Sequence, residues 1–373
     1  MAEGSFVMTA DISFYDIIKR TYDNLPALQA HHTANSKPTP ADLKVSSFNH
    51  KTINLRGYTH HYVEEGDPNG VPLVLLHGFP DMWYGWRYQI RALAKEGYRV
   101  IAMDNLGYGG SDQPKCPIDN PEPYTQKSHS EYMADLLDQL GIKKAVFIGH
   151  DWGALLVWRL GHFLPDRCLA VVGIGIPYHA PTDQPVDFAV ISALFPHLKY
   201  IAVFQTEEPE TWFGGDPHEQ ALAIINTAYA TRPGTNVEET QYYIDQFSRT
   251  TFHGAYNYYR AMKLNSVSDL QFVGKPLTVP ALHVIAEKDP IVPADYIAMI
   301  STDMIQDLKQ AYIPEGNHNV HSENPEELNK ILIEYLDDLV KKRANDIKDN
   351  RISNGHGVGT MKEKQDQVEG HAP

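Results

Sequence analysis

The strongest constraint on this chain is a repeated texture. Short runs that are almost wholly apolar, VPLVLLHG (71–78), YRVIAMDN (98–105), KKAVFIGH (143–150) and CLAVVGIG (168–175), alternate with helical stretches. A strand reads as a continuous apolar run when both of its faces are covered, and strand–helix alternation joins parallel neighbours through crossover helices. The class is therefore α/β, with a mostly parallel central sheet and helices on both faces. Ahead of these runs, KTINLRG and THHYVEEG read as two strands around Gly57, a hairpin.

The alternation stops near Tyr178 and resumes at TVPALHVIAEKD (278–289) and DLKQAYIPEGNH (307–318). The intervening segment is rich in aromatics and contains helical candidates at His218–Thr227 and Glu238–Phe247. This pattern predicts a core over 46–178 and 271–343, interrupted by a helical cap over 179–270. Residues 1–45 form a leader. Within it, Ile12 to Leu25 predicts a helix stopped by Pro26, and HHTANSKPTPADLK (31–44) reads as irregular linker. Residues 344–373 are polar and poor in large apolar side chains, so a flexible tail is expected.

The chemistry gathers at strand ends. IGHDWGA (148–154) follows an apolar strand and precedes a helical run. Small residues flanking Asp151 permit a tight strand-to-helix turn that pushes its side chain out above the sheet, the G-x-Nuc-x-G elbow with a carboxylate as nucleophile. The bland reading is a helix cap, for which aspartate is well suited. The loop after His77 places the Phe79 N–H where, with the Trp152 N–H, it makes a two-donor oxyanion hole. His77 itself reads as structural. Asp289 follows one strand and His318 the next, giving the chain order nucleophile, acid, histidine. His318 would be the base, oriented by Asp289, and His321 a mere neighbour.

A carboxylate attacking an ester carbonyl would give an anhydride, with little advantage. Attack on a saturated carbon gives an alkyl ester, which water activated by His318 can cleave at the Asp151 carboxyl carbon. The electrophile should then be an sp³ carbon bearing a halide or a strained ether oxygen. An opening epoxide needs acidic donors, and the cap offers Tyr200, Tyr229, Tyr242, Tyr243, Tyr256, Tyr258 and Tyr259.

The strings HGFPDMWYGWRYQ (77–89), DNLGYGGSD (104–112), GHDWGA (149–154), AEKD (286–289) and GNH (316–318) resemble the epoxide hydrolases of the α/β-hydrolase fold. The resemblance spans about residues 50–340. It implies two cap tyrosines that hold the epoxide oxygen. YIAVFQ (200–205) puts Tyr200 at the first position, and GAYNYYR (254–260) puts Tyr259 at the second. It also implies that Phe79, Trp152, Tyr258 and Asn319 touch substrate. Three departures stand out. The glutamine that usually follows the first tyrosine is absent, Tyr258 occupies a tryptophan position, and Asn319 stands where tryptophan is common. Haloalkane dehalogenases also resemble GHDWG but lack the paired tyrosines, and fluoroacetate dehalogenases carry arginine where this chain has Trp152. A non-catalytic receptor on the same fold would be expected to lose Asp151 or His318.

The implied partner is a small, largely apolar epoxide, bound by a monomer or homodimer without metal or organic cofactor. A formal charge of −15 argues against nucleic acid. The loop GYGGSD (107–112) lacks the lysine of a phosphate-binding loop. The two cysteines, Cys116 and Cys168, form no CxxC pair. They suit a reducing compartment, and the sequence shows neither a signal peptide nor an apolar span of about 18 residues. A soluble, cytoplasmic protein is the expectation.

Overall fold

Eight strands form one sheet: β1 (His50–Leu55), β2 (Tyr58–Gly66), β3 (Pro72–Leu76), β4 (Arg99–Met103), β5 (Ala145–His150), β6 (Cys168–Ile174), β7 (Ala281–Ala286) and β8 (Leu308–Ile313). Their order is β1-β2-β4-β3-β5-β6-β7-β8. The first two pairings, β1 with β2 and β2 with β4, are antiparallel, and all the others are parallel. Burial follows the sequence texture. Every residue of β5 and β7 is buried, whereas the edge strand β1 alternates between exposed and half-buried residues until the buried Leu55. The computed structural model describes residues 13–184, 193–230, 235–293, 296–297 and 302–356.

Parallel strands deliver their following loops to one edge of the sheet. Leu76 pairs with Gly149, so the loops after β3 and β5 leave side by side. Asp289 follows β7 and His318 follows β8 at the same edge.

Between β6 and β7 the described residues hold no strand. The main cap helices are Pro217–Tyr229, Val237–Thr250 and His253–Arg260. The cap is pinned to the loop after β3. Tyr229 donates to the Pro80 carbonyl at 2.8 Å and Tyr243 to Asp81 Oδ1 at 2.6 Å. Arg87 meets Glu239 at 3.1 Å with both side chains buried. Cap and sheet belong to one compact unit that ends at Leu328.

Two terminal expectations need correction. Pro26 does not end helical structure, because a second helix, Leu25–Asn35, begins there. Proline in the first helical turn gives up only an N–H that has no intrahelical partner. The stretch HHTAN is consequently helical and not linker. Likewise, the helix that starts at Pro325 runs to His356, so residues 344–356 are helical. No proline interrupts that stretch, and its first glycine is Gly355. The rest of the expected tail, 357–373, lies outside the described residues. No helix among the described residues is long and apolar enough to cross a membrane.

Candidate active site

Asp151 sits between β5 and the helix Trp152–Phe163 with φ 53° and ψ −117°. That conformation is costly for a residue with a Cβ, about 1–3 kcal/mol, and persists only where its surroundings enforce it. Two glycines make the turn possible. A Cβ on Gly149 would lie 2.0 Å from the Gly153 carbonyl oxygen, and one on Gly153 would lie 1.9 Å from that of Leu76. Asp151 occupies the N-cap position, yet its side chain makes no capping bond. Its Oδ1 instead accepts the Phe79 N–H at 2.8 Å. The helix-cap reading thus fails on geometry.

The Phe79–Pro80 peptide is cis. The Phe79 amide faces the Asp151 carboxylate, and Trp152 is the first residue of the helix that follows it. On its other side, Asp151 Oδ2 lies 3.6 Å from His318 Nε2. His318 Nδ1 is 2.8 Å from Asp289 Oδ2. Asp289 Oδ1 accepts the N–H groups of Ile291 and Val292 at 2.8 and 3.3 Å, which orients its carboxylate. The structure therefore brings Asp151, His318, Asp289 and Phe79 into one contiguous group.

Burial alone would depress the His318 imidazole. The anions of Asp289, bonded to it, and of Asp151, 3.6 Å away, outweigh burial and raise it to about 10. The ring is then an imidazolium clamped between two carboxylates at neutral pH. This carries a stability consequence. The folded state keeps a proton that an ordinary histidine releases near pH 6.5, so its contribution is whole below that value and is lost as pH rises towards 10. The melting temperature should fall more steeply between pH 7 and 10 in the wild type than in His318→Gln. Parallel pH profiles in scanning fluorimetry would show that the clamp does not exist.

Tyr200 and Tyr259 stand on the cap side, with ring centroids 6.2 Å apart. Tyr259 packs against Trp152 at 4.8 Å and Phe79 at 5.7 Å. Burial, followed by the charge of Asp151, pushes the Tyr200 phenol up; burial, Tyr200 and Asp151 do the same for Tyr259. Both remain neutral O–H donors. Of the other cap tyrosines, the hydroxyls of Tyr229, Tyr242, Tyr243 and Tyr258 have protein partners, whereas that of Tyr256 is buried without one. Tyr258, read from the sequence as a substrate contact, donates to the Leu106 carbonyl at 2.8 Å and meets His129 Nε2 at 2.8 Å. Its hydroxyl is thereby spent inside the protein, and only its ring reaches Trp152, at 5.9 Å. Asn319 is half-buried beside His318, and its carbonyl accepts the N–H groups of Ser322 and Glu323.

Two supporting residues, His150 and Asp81, are not singled out by the sequence. His150, immediately before Asp151, bonds through Nε2 to the His318 carbonyl at 2.7 Å, linking the elbow to the loop of the base. Burial, with His321 and His318 nearby, drives its pKa well down, so it stays neutral. His321 meets Asp81 at 2.9 Å. Asp81 is buried, which would raise its carboxyl, but the His321 bond holds it well below the usual range. Asp81, His150 and His321 are metal-ligand types with donor atoms within 4.8 Å of one another. The Asp81 carboxylate is already taken by His321, Tyr243 and the Met82 N–H. His77 accepts the Asn105 N–H at 3.0 Å, as suits a structural residue. In the loop 107–112, the Gly110 N–H is bound by Asp104 at 2.8 Å and is not free for a phosphate.

The alpha/beta hydrolase fold family matches residues 71–325, so the leader lies outside the match. The chain is 34% identical over 325 residues to Bifunctional epoxide hydrolase 2 of Rattus norvegicus, covering 80% of this chain but only 57% of that protein. It is 30% identical over 319 residues to Epoxide hydrolase A of Mycobacterium tuberculosis, covering 78% of this chain and 97% of the relative. Among solved structures, Epoxide Hydrolase A from Mycobacterium thermoresistibile superposes with a TM-score of 0.68 at 30% identity, covering 78% of this chain and 98% of its own. An epoxide hydrolase from Vigna radiata gives a TM-score of 0.70 at 26% identity, covering 79% and 99%.

Proposed function

Because the chain belongs to the epoxide hydrolases of the α/β-hydrolase fold, we propose that it converts epoxides to vicinal diols through a hydroxyalkyl ester on Asp151. The observation that carries this reading is the Asp151 carboxylate. It is held at a strained elbow without a capping bond, 2.8 Å from the Phe79 N–H and 3.6 Å from His318 Nε2.

In the first step the oxirane oxygen accepts bonds from Tyr200 and Tyr259. One Asp151 oxygen attacks a ring carbon, the carbon–oxygen bond breaks, and the oxygen takes a proton from a tyrosine. Alkylation removes the Asp151 charge, one of the two that keep the proton on His318. The imidazole is then freed to act as base only once the ester exists, and the proton it releases balances the one the tyrosine gave up. His318, oriented by Asp289, next draws a proton from water that attacks the Asp151 carboxyl carbon. The amides of Phe79 and Trp152 stabilise the tetrahedral oxyanion, and the diol leaves. The free thiols of Cys116 and Cys168 fit a reducing, cytoplasmic setting.

The paired phenols favour an ether oxygen over a halide as leaving group. Tyr200→Phe together with Tyr259→Phe should slow ring opening by about 10²–10⁴-fold, the usual worth of acid assistance. Stopped-flow tryptophan fluorescence would follow it, and an unchanged alkylation rate would remove the tyrosines from the mechanism. The route itself is tested with styrene oxide in ¹⁸O-water under single-turnover conditions. Unlabelled diol with ¹⁸O in the Asp151 peptide supports the ester. Label in the first-turnover diol means direct water attack and refutes it.

A further inference from the structure

The residues ahead of the sheet turn back over the cap. Ser13 Oγ accepts the Asp16 N–H at 3.1 Å, and the Asp16 carboxylate accepts the Ser13 N–H at 3.2 Å. This reciprocal box fixes the start of the helix Phe14–Asp23 and puts Phe14 in its first position. Ile17, Ile18 and Thr21 are its buried residues. Tyr22 donates to Glu219 of the cap helix Pro217–Tyr229 at 2.5 Å. Tyr15 meets the ring of Trp212 at 5.2 Å, and Tyr22 meets that of Phe213 at 4.6 Å. Phe213 has φ 54° and Gly214 φ 69°. A bulky residue holds that left-handed conformation only where packing imposes it.

Phe14 itself reaches the candidate site. Its ring lies 5.2 Å from Tyr200 at 33° and 5.3 Å from Phe204 at 83°. Phe204 is fully buried and sits 5.0 Å from Tyr259. A continuous aromatic chain thus runs from the leader to both phenols. Tyr200 is the weaker-held of the two. It is half-buried, on a six-residue helix, Lys199–Phe204, and helices that short do not hold themselves. Tyr259, by contrast, is buried on all sides.

We infer that Phe14 is a positioning residue for Tyr200, and that the leader helix is a working part of the cap. The ring of Phe14 braces Tyr200 so that its hydroxyl is aimed before substrate arrives. This rests on the proposed reading of Tyr200 as a donor to an epoxide oxygen.

Two variants remove the ring, Phe14→Ala and the volume-keeping Phe14→Leu, and Phe14→Tyr restores it. Loss of the ring should slow alkylation roughly tenfold, within the range a small misplacement costs. Ester hydrolysis, which uses His318, should not change. In a Tyr200→Phe background the same substitutions should have no further effect on alkylation, since the residue they position no longer has its hydroxyl. Equal fractional losses in both backgrounds, or equal slowing of both steps, would reduce Phe14 to a fold-holding role and overturn the proposal. The test has an arm independent of activity. With 3-fluorotyrosine at position 200, the ¹⁹F resonance should shift and narrow when the Phe14 ring is removed. If the wild type makes no diol from any epoxide offered, the substrate reading fails, and this resonance alone decides the brace. An unmoved line would sink it.

Discussion

His318→Gln should turn over once and stop, with Asp151 left esterified. Alkylation draws only on the Asp151 carboxylate and the cap phenols, so it proceeds without the histidine. Hydrolysis needs a base for water, and removing one costs about 10²–10⁴-fold. Intact-protein mass should rise by one equivalent of epoxide within the first turnover and remain there. Glutamine keeps a polar group facing Asp289, which bonds His318 Nδ1 at 2.8 Å, so the loop need not collapse. Steady diol production at the wild-type rate, with no adduct, would show that another group activates the water.

Asp151→Asn should block the reaction one step earlier, with neither adduct nor diol. Loss of a nucleophile commonly costs about 10⁴-fold or more. The amide oxygen can still accept the Phe79 N–H that Asp151 accepts at 2.8 Å, so the elbow should survive. Activity that grows on storage would signal deamidation back to aspartate. It should appear together with the mass change of that conversion and not before it. Prompt diol formation by freshly purified Asp151→Asn would place the nucleophile elsewhere.

Much of this arrangement is legible in the sequence for one physical reason. β3, β5 and β7 are covered on both faces, so their apolar runs stop abruptly at His77, Asp151 and the AEKD loop. A polar residue after such a run has to sit at the sheet edge where parallel strands converge. Asp151 and Asp289 can be picked out on that basis, and His318, after the more exposed β8, by its place in the chain order; the structure sets His318 2.8 Å from Asp289 and 3.6 Å from Asp151. What could not be read depends on contacts far apart in sequence. The bond of Tyr22 to Glu219 joins residues 197 apart, and that of His321 to Asp81 joins residues 240 apart. No local pattern announces either. A motif position tells which ring stands at Tyr258 but not that its hydroxyl is bonded to the Leu106 carbonyl. Pro26 reads locally as a stop, yet in the first turn of the helix Leu25–Asn35 it is a tolerated start.

The bonds from Tyr229 to Pro80 and from Tyr243 to Asp81 bear on how this protein could be rebuilt. They fasten two cap helices to the residues immediately after Phe79, whose amide faces the nucleophile. A cap exchanged with that of a relative would arrive without matching hydroxyls for this loop, or with hydroxyls aimed at a loop of another shape. Chimaeras cut at the borders of the insertion should therefore misplace the Phe79 amide, and ester cleavage should suffer more than substrate capture. Transplanting residues 79–87 with the cap would keep both halves of the joint in register. The transferable module for altering specificity is then the cap together with its landing loop, two pieces distant in the gene and inseparable in the folded chain.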